Sequence, residues 1–124
     1  VYGVAGENLS RGHILYKKLN GGAWKWYKYD ADATNKLILP CGIATADILS
    51  GNTGVILVNG QMRDDTWSLS PSADAAVTVY ASTTAGGVTL TAPSSSGNEV
   101  VVVGLLIASN TILTKFGFAW VEIT

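Results

Sequence analysis

His13 and Cys41 are the one imidazole and the one thiol in the chain, and a Cys41–His13 dyad is one pairing that could act as nucleophile and base. A working dyad needs the thiol beside the ring, with an acid to orient it. Neither residue sits in anything like a nucleophile turn. Cys41 follows Pro40 and precedes Gly42-Ile43 in an apolar stretch, where a thiol packs as a small hydrophobe. The carboxylates fall in local pairs, Asp30/Asp32 and Asp64/Asp65. Glycoside hydrolysis would need two acids facing each other from different elements, so these pairs read as solvated turn residues at strand ends. Asp30-Ala31-Asp32 opens like a calcium loop but lacks the later Gly and bidentate Glu. Thr84-Ala85-Gly86-Gly87 leads into a strand pattern rather than a helix, so it is not a phosphate loop. A single Cys also excludes an intramolecular disulfide and every multi-Cys zinc pattern. No catalytic residue, cofactor or metal is therefore expected.

The run Trp24-Lys25-Trp26-Tyr27-Lys28-Tyr29 is the most unusual feature. On a strand, Trp24, Trp26 and Lys28 share one face while Lys25, Tyr27 and Tyr29 share the other. One core covers one apolar face, so the second set of rings needs a second cover. The plain structural reading is an edge hairpin that is partly core and partly exposed; among functional readings a subunit contact is preferred, because Tyr and Trp concentrate at interface cores. A sugar- or peptide-stacking platform built on Trp24, Trp26 and Tyr27 is the alternative, with carbohydrate or a host receptor as ligand.

The elements that position these residues are strands. Gly numbers 14 and Pro 3, and short β-branched or aromatic runs alternate with Gly, Asn, Asp and Ser clusters. The expected strands are His13–Lys18, Trp24–Asp30, Lys36–Leu39, Gly54–Asn59, Thr66–Leu69, Ala76–Ala81, Val88–Thr91, Glu99–Ala108, Thr111–Lys115 and Phe118–Ile123. Helix is nearly absent; Ile43–Leu49 has the only helical pattern, and Gly42 and Thr45 argue against it. Glu99–Ala108 is apolar on both faces, which marks the central strand, with Gly104 as a bulge or a close backbone approach. Asn20-Gly21-Gly22, Thr84-Ala85-Gly86-Gly87 and Ser96-Gly97-Asn98 supply turns.

The halves also echo one another. Gly6 to Leu15 and Gly60 to Leu69 each read as Gly, a polar linker and a strand. Cys41-Gly42-Ile43-Ala44-Thr45 parallels the Gly-aliphatic stretch from Val103 to Ser109. The expected fold is one all-β domain over residues 1–124, a small antiparallel β-barrel or β-sandwich of β-tulip type with two pseudo-similar halves. Residues 1–6 are expected to form an extended N-terminal arm.

Bulk composition narrows the partners. Charged residues make up 14% of the chain, and eight Lys+Arg against nine Asp+Glu leave a net charge of −1. That balance disfavours nucleic acid. The longest apolar run, Val100 to Ala108, is half a membrane span and contains Gly104. Val1 to Gly6 has no basic stretch and does not read as a signal peptide. With a mean hydropathy of +0.28 and almost no net charge, a solitary copy is expected to have more apolar surface than it can hide.

Three segments of the second half carry a resemblance: Gly60-Gln61-Met62-Arg63-Asp64-Asp65-Thr66-Trp67-Ser68-Leu69, the stretch from Val79 through Ser82-Thr83-Thr84-Ala85-Gly86-Gly87-Val88 to Ala92-Pro93, and Gly97 through Val103-Gly104. They resemble stretches of tailed-bacteriophage head-fibre, tail-fibre and capsid-decoration (cement) proteins. The first half is similar to small decoration proteins in having Ala5-Gly6-Glu7-Asn8-Leu9-Ser10-Arg11-Gly12 before a strand and Gly42-Ile43-Ala44 after a variable hairpin. The resemblance implies an all-β virion subunit, commonly a homotrimer, on the outer surface of the capsid, binding the major capsid protein and itself. The Trp24–Tyr29 hairpin departs from the matched pattern, and the sequence shows no coiled-coil or triple-β shaft of a full fibre, which lowers the alternative of a head- or tail-fibre module that binds carbohydrate or a host receptor. Under the decoration reading the interface candidates are Val1, Tyr2 and Val4 of the arm; Trp24, Trp26, Tyr27 and Tyr29 of the hairpin; and Phe116, Phe118 and Trp120 near the C-terminus.

Overall fold

In the computed structural model, residues 1–32, 40–70 and 77–116 are described in full and 120–122 as backbone. Eleven strands appear among them, and no helix: β1 (Tyr2–Val4), β2 (Ile14–Asn20), β3 (Ala23–Lys28), β4 (Gly42–Ala44), β5 (Thr53–Leu57), β6 (Gln61–Arg63), β7 (Val77–Ala81), β8 (Val88–Thr89), β9 (Glu99–Ala108), β10 (Thr111–Thr114) and β11 (Trp120–Glu122). The expected strand Lys36–Leu39 lies outside the described residues.

The strands form two antiparallel sheets, one from each half of the chain. The first runs β1-β5-β4-β2-β3 and the second β6-β10-β9-β7-β8, with β11 also on β9. Counted from its own first strand, each half has the same order: first, fifth, fourth, second, third. The expected echo is therefore a repeated topology. The Gly-aliphatic pairing holds, since β4 and β9 occupy the same place. The other pairing is out of register, because β6 corresponds to β1 and so Gly60 matches the start of the chain rather than Gly6.

Alternation along the strands divides the core. Ile14 and Ile43 face a cluster shared with Met62, Val79, Val103, Leu106 and Ile112 of the second sheet. Their neighbours Leu15 and Ala44 face a second cluster, with Ala5, Leu9, Trp26, Ile48 and Ile56, made wholly from the first half. The first sheet curls around that inner cluster until its edges touch. Ala5 bridges Trp26, and the Gly6 N–H donates to the Trp26 carbonyl at 2.9 Å. The result is a sheet pair with one strongly curled member, not a closed barrel.

The loop between β7 and β8 stitches the halves together. Ile14 N–H donates to the Gly86 carbonyl at 2.9 Å, Gly86 N–H to Tyr29 at 2.7 Å, and Ala31 N–H to Ser82 at 3.1 Å. Tyr29 also donates its hydroxyl to the buried carboxylate of Glu99. The chain exposes 6522 Å², close to the roughly 6,300 Å² that a compact monomer of this mass exposes. Among the described residues, Val1, Tyr2, Leu19, Trp24, Leu49, Val55, Val58 and Ile107 stay exposed on that surface.

Several elements differ from the sequence expectation. The arm at 1–6 is an edge strand of its own sheet: Tyr2, Gly3 and Val4 pair with Val55, Gly54 and Thr53, and the terminal ammonium donates to Ile56 O at 2.8 Å. Gly3 lies so close to the Trp26 indole that a Cβ there would collide with it. Thr66–Leu69 is not a strand, because Asp64 Oδ1 accepts both the Thr66 N–H (2.9 Å) and its hydroxyl (2.6 Å) and folds the chain into an Asx turn. The strand expected over Val88–Thr91 stops at Thr89, whose hydroxyl accepts the Thr91 N–H at 3.2 Å. Conversely, β6 falls in a stretch taken as a linker; its exposed–buried–exposed pattern is legible in Gln61-Met62-Arg63.

Candidate functional site

Two regions carry the accessible chemistry of the described residues. The first is the β2–β3 hairpin. Gly21 and Gly22 both have positive φ (62° and 82°), as a two-residue type I′ turn requires, so the strands stay paired up to Asn20↔Ala23. The base of the hairpin is interior on both sides: Trp26 is 3% exposed, Tyr27 9% and Tyr29 4%. Trp26 fills the curl of the first sheet. Tyr27 stacks on Tyr16, with centroids 5.8 Å apart, and accepts a hydrogen bond from Asn20 Nδ2 at 2.7 Å. Tyr29 joins the shared core.

The tip differs from the base. Leu19 and Trp24 are directly opposed and remain 55% and 60% exposed. Lys18 and Lys25 are opposed on the other face; Lys18 Nζ lies 4.7 Å from the Tyr27 ring centroid, and Lys17 Nζ lies 5.5 Å from that of Trp26. Lys28 pairs with Glu7 at 3.5 Å.

The second region is a cleft of about 700 Å³ where the halves meet, between the Ser10–His13 turn and Asp47 on one side and Asp64–Leu69 and Gly86–Val88 on the other. Arg11 spans it: its guanidinium donates to Thr45 O (3.2 Å) and Arg63 O (2.7 Å), while its N–H donates to Asp47 at 2.9 Å. His13 Nδ1 accepts the Ser10 N–H at 3.0 Å. Burial, then the nearby Lys28 charge, lower its pKa below the ordinary 6.5, so the ring is neutral at pH 7. Trp67, Leu69 and Val88 supply half-buried apolar walls.

These positions test the sequence expectations one by one. His13 and Cys41 are not joined: no hydrogen bond links them among the described residues, and Cys41 packs against the inner cluster of the first half. Burial raises its pKa and keeps the thiol protonated. Asp30 and Asp65 behave as turn and surface residues, with Asp30 capping Asp32 N–H at 2.8 Å and Asp65 bonding Arg63 and Asn110. The Arg63 hydrogen bond holds Asp65 below the usual carboxylate range. Asp64 is instead 2% exposed, lying beneath Gly12, and so is not a solvated turn residue.

Among the interface candidates, Val1 (60%), Tyr2 (81%) and Trp24 are exposed, whereas Val4 and Phe116 are half-buried. Trp26, Tyr27 and Tyr29 are not available to a partner, because the chain covers both faces of that strand itself. The three-ring stacking platform is reduced to Trp24 for the same reason. Phe118 and the Trp120 side chain lie outside the described residues; the Trp120 backbone pairs with Val101. Sequence reasoning missed the exposed pair partners Leu19 and Val55, although both sit opposite aromatic residues once the strands are registered. No protein-family model matches the chain, and neither the curated proteins nor the solved structures contain a match.

Proposed function

We propose that this chain is a structural subunit of a virion, a capsid-decoration protein that sits on the outer face of a phage head and ties neighbouring major-capsid subunits together. The observation that supports it most is a split in burial: one copy encloses its core, yet two cross-strand pairs, Tyr2–Val55 and Leu19–Trp24, stay exposed. The rings of these pairs, Tyr2 and Trp24, are the residue types enriched among the anchors that protein interfaces use. They lie on β1/β5 and at the β2–β3 tip of one curled sheet, whose β1 and β3 edges meet at Ala5 and Trp26. Contacts of modest strength then sum through effective concentration. The resemblance of the second half to decoration and head-fibre proteins points to the same role.

The experiment is co-sedimentation with expanded and unexpanded heads assembled from the cognate major capsid protein. Saturable binding to expanded heads, with improved survival on heating, is expected. Wild-type chain that stays in the supernatant with both kinds of head overturns the reading.

A further inference from the structure

The chain's charge is unevenly placed. Lys17, Lys18, Lys25 and Lys28 lie between Ile14 and Tyr29 with no carboxylate among them, so the remaining residues hold all nine carboxylates against four bases. A nearly neutral protein is thus a cationic hairpin on an anionic body. Lys28 is answered by Glu7. Lys17, Lys18 and Lys25 have no carboxylate partner among the described residues, and Lys18 and Lys25 stand directly opposite each other. Like charges opposed across a ladder destabilise it. Lys18 rests on the Tyr27 ring, but the repulsion from Lys25 is left unanswered within the chain, and an anionic surface laid against the hairpin would offset it. Beside the lysines, the exposed Leu19–Trp24 pair offers an apolar tip.

The same molecule carries a complementary surface. The cleft between the halves has Trp67, Leu69 and Val88 as apolar walls, and its charged lining is Arg11 against two carboxylates, Asp47 exposed at the rim and Asp64 buried beneath Gly12. Its volume of about 700 Å³ is in the range of pockets that enclose side chains the size of an indole.

We infer that the β2–β3 hairpin of one copy docks into the inter-half cleft of a second copy, with Trp24 and Leu19 against Trp67 and Leu69 and the hairpin lysines toward Asp47. The inference rests on the reading of the chain as an assembly subunit and names the contact between subunits. Hairpin and cleft are different surfaces, so the contact is head-to-tail, and it closes into a ring such as a trimer when the rotation permits. Nucleic acid is the weaker match for the hairpin, because single-strand binders stack successive bases on several rings, and here one ring is accessible.

Sedimentation velocity at tens of micromolar tests it. The wild type is expected at a multiple of 13.0 kDa in low salt, shifting toward 13.0 kDa as salt screens the lysines. Trp24→Ala is expected to weaken self-association about thirtyfold, the loss typical of an aromatic anchor. Asp47→Lys should weaken it from the cleft side. A mixture of the two variants retains one intact contact, between the Asp47→Lys hairpin and the Trp24→Ala cleft, and should form dimers that neither forms alone. Circular dichroism of each variant confirms that it is folded. A wild-type monomer at all concentrations, a multimer indifferent to both variants, or a mixture without dimers overturns the inference. A monomer that still binds heads through Trp24 overturns it in favour of a foreign acidic protein and leaves the decoration reading standing.

Discussion

The two halves share a strand order and spend it differently. In the first, β2 and β3 have seven and six residues while β4 has three; in the second, β7 and β8 have five and two while β9 has ten. The second half therefore invests in a long central strand, flanked by β7, β10 and β11 and contributing Val101, Val103 and Leu106 to the shared core. The first half invests in a hairpin longer than its neighbours can cover. Its base is enclosed, and its tip carries Leu19, Trp24 and the lysines into solvent. One topology thus serves as a core in one copy and as a projection in the other, with strand length as the variable.

The largest expected effect breaks the first half's private core. Trp26→Ala removes the largest side chain of the inner cluster and should cost about 3–5 kcal/mol, measured by denaturant unfolding. Trp24→Ala, two residues away on the same face, should stay within about 0.5 kcal/mol of wild type. Equal costs would mean that base and tip are not different environments.

Next in size are the equivalent glycines of β4 and β9. A Cβ on Gly104 would run into the Leu113 carbonyl and the Ile112 side chain, whereas one on Gly42 would meet Ile56 Cγ2 at 2.5 Å and the Trp26 ring at 2.8 Å. Both alanine variants should lose about 1–3 kcal/mol. Gly104→Ala should lose more, because a strand carbonyl cannot rotate away as a methyl group can. A milder effect at Gly104 would place the rigid part of the fold in the first half.

Much of this architecture was legible in the residues, and the losses have physical causes. The four-valine run Val100–Val103 and Gly104 announced a central strand with a close approach, and β9 shows both; its ladder to β7 shifts register between Val79 and Tyr80. Asn20-Gly21-Gly22 announced its hairpin. Of the readings open for Trp24–Tyr29, partial core with partial exposure matches the burial: Trp26, Tyr27 and Tyr29 are covered within the chain and Trp24 is exposed. A curled sheet encloses apolar surface against itself, and period-two alternation carries no sign of curl. The Thr66–Leu69 error has a different origin: a β-like run lost to an Asx turn whose acceptor, Asp64, lies two residues before it. The cleft was not legible at all, because Arg11, His13, Asp47 and Asp64 come together only when the halves meet.

A smaller effect reports on that junction. His13 has a depressed pKa in the fold, so the unfolded chain binds the proton first as pH falls. The stability it contributes is complete above 6.5 and is lost as pH drops through the folded value below that. Unfolding free energy should therefore decline from pH 7.5 toward pH 5, and His13→Gln should flatten part of that slope. An unchanged slope in the variant would assign the acid sensitivity elsewhere.

The smallest effect separates what the hairpin does for the fold from what it does for assembly. Lys18 and Lys25 face each other across the ladder, so Lys25→Glu turns a repulsive pair into an attractive one. The gain should be about 0.2–1 kcal/mol, read as a higher thermal midpoint in dilute solution, where only the single copy is measured. The same change removes a positive charge and adds a negative one on the face that meets an acidic partner, so self-association at high concentration should fall. Stability and association moving in opposite directions would identify the pair as retained at a cost to the monomer. If both rise together, the lysines serve neither contact, and the projection acts through Leu19 and Trp24 alone.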